Sequence, residues 1–212
     1  MVSVGGSGGR AVSDESVWTI EPGERRQPGI VHVVMMALFI GIGIVVGTLG
    51  SLAIPIGFVS AFGPGQAVQA VGGLWFGLWG GVAGMFFPFI SNALSGSAPI
   101  PVSAAYLPAN FLQSFLAAAS FRWFKADPRL RTGRDWVIWV VFGVLLANFL
   151  GAFWGTYVLK WFGLITGAAR ITALFGWFVG NTIPSLIFGS ILLKYVSPMV
   201  LRSKAFAKGW LA

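Results

Sequence analysis

The side chains best placed to recognise a ligand are amides. Asn92, Asn110, Gln113, Asn148 and Asn181 stand inside or at the ends of apolar stretches. A carboxamide offers two donors and an acceptor with two lone pairs, and it brings no charge. In hydrocarbon such a group is costly unless it is hydrogen-bonded. One amide alone is either glue between helices or a ligand contact. Several at similar depth read as a polar pocket. Rings lie in the same region. Tyr106, Trp154 and Trp177 are candidates to stack on a flat ligand, while Trp161 is read as interfacial belt and Trp136 and Trp139 as belt at the other interface. Arg170 is read either as a snorkelling anchor or as an attraction for an anionic ligand. The candidate substrate-binding set is therefore Asn92, Tyr106, Asn110, Gln113, Asn148, Trp154, Arg170, Trp177 and Asn181.

Other chemistry lacks its residues. There is no cysteine and a single histidine, His32, so neither thiolate chemistry nor a multi-histidine metal site is expected. Between Ile30 and Val196 the only acids are Asp127 and Asp135, both in a basic loop. Proton- or ion-driven carriers usually need an ionisable group inside the membrane. Serines and threonines occur, but no base stands beside them. No enzyme activity, no metal and no cofactor are expected.

The elements that must position the amides follow from composition. Of 212 residues, 56% are hydrophobic and 9% charged, against roughly 25% charged in soluble domains, and mean hydropathy is +0.82. This places the chain in a bilayer as an all-α polytopic membrane protein. Residues 1–29 are a polar segment read as a flexible tail, in which Val17 to Ile20 can also dock on the protein or on headgroups. The first span is residues 30–54, since a crossing helix needs about 20 apolar residues. Residues 66–94 are too long for one span and break naturally near Gly77 to Gly81, which predicts short spans over about 64–77 and 79–94. Three more follow over about 105–124, 136–159 and 171–196, with a kink at Pro184. The domain layout is thus the tail, a six-helix domain over 30–197 and a basic C-terminal tail over 198–212.

Charge tests the count. Arg25 and Arg26, the cluster from Arg122 to Arg134, and the group from Lys194 to Lys208 fall on one side only if there are six spans. By the positive-inside rule both termini are then cytoplasmic. The net charge of +8 is accordingly read as topology and attraction to anionic headgroups, not as nucleic-acid binding. In the first span, Ala37 and Gly41 lie on one face and Gly43 and Gly47 on another. Small residues at this spacing let backbones approach closely, so one face can pack inside the protein and the other against a partner.

Together these features resemble the substrate-binding S component of energy-coupling factor (ECF) vitamin transporters. The resemblance covers residues 30–197. It rests on six spans with both ends inside, on Ala37-x3-Gly41, on FGPGQAVQAVGGLWFGLWGGVAG after an uncharged loop, and on SNALSGSAPIPVSAAYLPANFLQSFL. It implies a small-molecule binder in a bacterial-type cell membrane. Its pocket would open outward, formed by spans 4–6 and the loops after spans 1 and 3. It would be driven by a membrane T component, met through Ala37 and Gly41, and by two cytosolic ATPases. The absence of a Walker motif agrees with that division of labour. The long N-terminal tail and the basic loop between spans 4 and 5 depart from well-known members. The competing expectation is a structural or assembly subunit of a larger membrane complex, with the amides as glue.

Overall fold

The computed structural model describes residues 16–53, 55–56, 59–60 and 62–212. Residues 1–15 of the expected tail, and 54, 57, 58 and 61 of the uncharged loop, lie outside the described residues. The fold is all-α. Its helices are α1 (Ile30–Ala53), α2 (Gly65–Phe76), α3 (Leu78–Ser95), α4 (Ile100–Ala105), α5 (Leu107–Trp123), α6 (Gly133–Trp161) and α7 (Gly167–Val200). A two-residue antiparallel ladder, Pro55–Ile56 with Val59–Ser60, follows α1. Helices α1, α6 and α7 are long and apolar enough to cross a membrane.

The block around residues 66–94 breaks at Gly77, whose φ of 58° suits glycine. A Cβ there would also run into the Trp210 carbonyl. Helix α2 has 12 residues, all buried. At 1.5 Å per residue it is about 18 Å long, short of the roughly 30 Å hydrocarbon core. It is a central helix wrapped by its neighbours. Glycines make that possible: a Cβ on Gly72 would meet the Phe39 ring of α1, and one on Gly73 the Ser114 backbone of α5. Gly43 and Gly47 of α1 face Phe87 and Ser91 of α3, whereas Gly41 has nothing within 4 Å of where its Cβ would be.

Both winding and packing depart from regular α-helix in the long C-terminal helices. The stretch Trp139–Leu146 in α6, and Ser185–Gly189 and Leu192–Val196 in α7, are π-wound. Trp139 corrects an expectation: it is not a belt residue. It is fully buried, and its indole donates to Ser190 Oγ at 3.0 Å. Gly143 and Gly189 have no Cβ to occupy the slot that its ring fills.

The N-terminal segment is packed from Ser16 onward. Trp18 is buried and donates to the Ala126 carbonyl at 2.7 Å. Arg26 donates to the Phe206 carbonyl at 2.6 Å, and Lys208 to the Thr19 carbonyl and to Glu24 at 2.7 Å each. Hydrogen bonds from Lys208 and Arg26 hold the Glu24 carboxyl down to about 2. The two acids of the basic loop are structural. Asp135 closes a capping box with Thr132 at the start of α6, and Asp127 pairs with Arg129 at 2.6 Å.

Candidate functional site

At the end of the bundle away from the termini, a cavity of about 310 Å³ opens between α1, α2, α3, α5 and α7. This lies at the small end of the usual range for ligand sites, about 300–1,000 Å³. Asn92, Tyr106, Asn110, Gln113, Trp177 and Asn181 are all in its wall. Among the described residues no charged side chain is. Tyr106 and Trp177 meet edge to face, with centroids 5.3 Å apart at 81°, and form the aromatic side. Asn92 is tied to Ser103 Oγ and Ser97 Oγ at 3.3 and 3.0 Å, which fixes the turn between α3 and α4.

Two prolines prepare the polar side. Proline has no N–H, so the carbonyl four residues before it loses its helical donor. Pro88 frees the carbonyl of Gly84, and Gln69 Nε2 donates to it at 3.0 Å. Gln69 also donates to the Asn110 carbonyl. Pro184 frees the carbonyl of Gly180, and the Gly63 N–H donates to it at 2.9 Å. That bond pulls the loop after α1 down to the middle of α7. There is no room for a Cβ at Gly63, because Asn181 Oδ1 stands against it. Replacing Pro184 by alanine returns a donor to Gly180. The Gly63 amide is then expected to exchange its hydrogen faster, as hydrogen-exchange mass spectrometry of the 62–70 peptide would report. Unchanged protection would refute this account of the loop.

Sequence reasoning missed Gln66 and Gln69. They stand three residues apart on one face of α2, and this spacing in an apolar stretch was the available signal. Both are buried. Among the described residues Gln66 Nε2 and the Tyr106 hydroxyl have no hydrogen-bond partner, and both residues line the cavity. Buried polar atoms are paired in the great majority of cases. Both atoms have almost no exposed surface, so a polar ligand would satisfy them once these side chains turn toward the cavity.

Three expected residues are placed elsewhere. Asn148 is fully buried behind Gln113, whose Nε2 lies 3.5 Å from Asn148 Oδ1; it is not in the cavity wall. Trp154 points away and donates to the Ala105 carbonyl at 2.8 Å on a half-exposed face. Arg170 is in the first turn of α7, about three turns from Asn181, with its guanidinium 4.1 Å over the Tyr157 ring. The electrostatics follow: the cavity holds only neutral dipoles, so it suits an uncharged ligand better than an anion.

The chain matches no protein-family model, no curated protein and no solved structure.

Proposed function

We propose that this protein is the membrane-embedded substrate-binding subunit of an ECF-type importer, taking up a small, uncharged, partly flat nutrient. One observation carries the reading: a cavity lined by amides, hydroxyls and the rings of Phe87, Tyr106 and Trp177, with no charge among the described residues and with Gln66 Nε2 and the Tyr106 hydroxyl unpaired among them. Planar nutrients with ring nitrogens and carbonyls would supply the missing partners and stack on Trp177. The proposed topology has six crossings and both termini inside a bacterial-type cell membrane, carried by the distribution of basic residues. Helix α2 completes its crossing through the loop that Gly63 ties to Gly180. Ala37 and Gly41 are exposed, which suits close contact with a T component that would couple the subunit to two cytosolic ATPases.

The test starts from material purified from the native membrane. A small molecule extracted from it should rebind, with Gln66→Leu and Asn181→Ala each weakening it about tenfold or more, since an unpaired buried polar group costs about 1–3 kcal/mol. Equal binding by both variants would refute the site. The second reading, a structural or assembly subunit, is favoured by Gln69 and the Gln113–Asn148 pair, whose amides meet partners within the protein. Copurification with a larger complex and no small ligand would decide for it.

A further inference from the structure

The end of the bundle where the segment from Ser16 meets the C-terminal tail has its own cavity, of about 710 Å³. Arg129, Arg131, Lys194, Arg202 and Lys208 line it, with Glu21 as the one acid in the wall among the described residues. Nearby carboxylates offset only part of this charge. Asp127 pairs with Arg129 at 2.6 Å and lies 3.6 Å from Arg131, and Glu24 pairs with Lys208 at 2.7 Å. Burial pushes the Asp127 carboxyl up, but hydrogen bonds and charge from Arg129 outweigh this and hold it below its ordinary value. Lys194 and Arg202 are exposed and have no ion pair among the described residues.

The backbone is arranged to present these cations. Leu130 holds a φ of 52°, a left-handed conformation that a bulky side chain rarely adopts. It thereby buries its side chain in the core and leaves Arg129 and Arg131, on either side, at the cavity.

A cationic cavity alone suits any phosphate. The adjoining helix face narrows the choice. Along α7, Ile183, Ile187, Ile191, Tyr195 and Met199 recur every fourth residue, and all are exposed. This apolar stripe follows a helix long enough to cross a bilayer and ends among the turns from which Lys194, Pro198 and Arg202 line the cavity. A phosphodiester with acyl chains matches both parts at once. We propose that this cavity holds the headgroup phosphate of an anionic phospholipid from the leaflet on the side of the termini, with its chains along the α7 stripe. The inference needs membrane insertion only and does not depend on what the other cavity binds.

Native mass spectrometry of the full-length protein in detergent tests it, with phosphatidylglycerol and phosphatidylcholine of matched chains as probes. The wild type should retain phosphatidylglycerol preferentially. The double variant Lys194→Gln, Arg202→Gln should lose that retention about tenfold, on the scale expected for two surface cations, with phosphatidylcholine unaffected. Lys125→Gln with Lys204→Gln removes the same charge from exposed residues outside the cavity and should leave retention intact. The proposal is overturned if the wild type does not distinguish the two lipids, or if both double variants lose retention equally. Displacement by millimolar inorganic phosphate would identify a free phosphate as the ligand and overturn the lipid assignment. Binding that requires Asp14→Asn and Glu15→Gln would overturn it too, because the chain's own acids would then be the occupant.

Discussion

Arg122→Ala is expected to lower thermal stability by roughly 10 °C and to release the C-terminal tail. The guanidinium is buried without a carboxylate partner among the described residues. It donates instead to four backbone carbonyls: Gly209 at 2.8 Å, Leu74 at 3.3 Å, Ala118 at 3.0 Å and Ala207 at 2.6 Å. Its faces lie over Trp18 at 4.6 Å and Trp210 at 5.2 Å. Charged hydrogen bonds are worth about 1.5–3 kcal/mol each and a desolvated cation–π contact up to about 2. These are not additive, so a net loss of about 4 kcal/mol is the working figure. At about 2–4 °C per kcal/mol for a chain of this size, that gives the stated shift.

The reason for so large an effect lies in what the tail does. The break at Gly77 leaves helix-end groups without helical partners. Ala207 N–H donates to the Trp75 carbonyl at 2.9 Å, and the Trp210 carbonyl accepts from Leu78 N–H at 2.8 Å. The Leu74 carbonyl goes to Arg122 itself. Without the guanidinium the tail loses its hold and the break loses its partners. Arg122→Lys should not rescue, because an ammonium is a compact donor that cannot span four carbonyls and stack on two rings. Thermal unfolding in detergent and trypsin cleavage after Lys204 or Lys208 measure the two effects. An unchanged melting temperature with an uncleaved tail would refute the role assigned to Arg122.

Gly80→Ala is expected to be comparably severe, about 3 kcal/mol or more, and to yield protein that aggregates on size exclusion. A Cβ on Gly80 would fall on the backbone of Gly72 and Gly73, and one on Gly73 on the backbone of Ser114. Backbone cannot rotate away as a side chain can, so α2, α3 and α5 would have to separate. Overpacking a well-filled core typically costs about 1–3 kcal/mol, and contacts with backbone belong at or above the top of that range. Gly41→Ala is the matched control. Nothing lies within 4 Å of its Cβ position, and alanine is favoured over glycine in a helix by up to about 1 kcal/mol. It should leave the isolated protein as stable as the wild type or slightly more so. If Gly80→Ala melts with the wild type, the close packing of α2 against α3 is not needed for folding.

Much of the candidate site was legible. Asn92, Asn110, Gln113 and Asn181, with Tyr106 and Trp177, were picked out as polar or amphipathic groups in apolar stretches, and they do line one cavity. Asn148 carried the same signal and faces Gln113 instead, because which side of a helix meets a cavity depends on how its neighbours pack. Depth singles out Trp154 and charge singles out Arg170, and neither property says which way a helix face turns. Gln66 and Gln69 stand in a stretch whose glycines dominate its pattern, and that stretch supplies Gly65, Gln66 and Gln69 to the wall.

What the sequence by itself determined is local chemistry. Long apolar runs with few charges dictate helices fit for a bilayer. A glycine-rich block too long for one helix dictates a break, and Gly77 supplies the positive φ. Pro88 and Pro184 dictate that the carbonyls of Gly84 and Gly180 have no helical donor, since the missing N–H is a property of proline itself. Only the tertiary structure decided what meets those freed groups. The Gly84 carbonyl takes Gln69 from 15 residues away, Gly180 takes Gly63 from the loop after α1, and the helix ends at Gly77 take Ala207 and Trp210 of the C-terminal tail. A vacancy in a helix is written in a few neighbouring residues. Its partner is chosen by the packing that buries the vacancy away from water and makes leaving it empty costly.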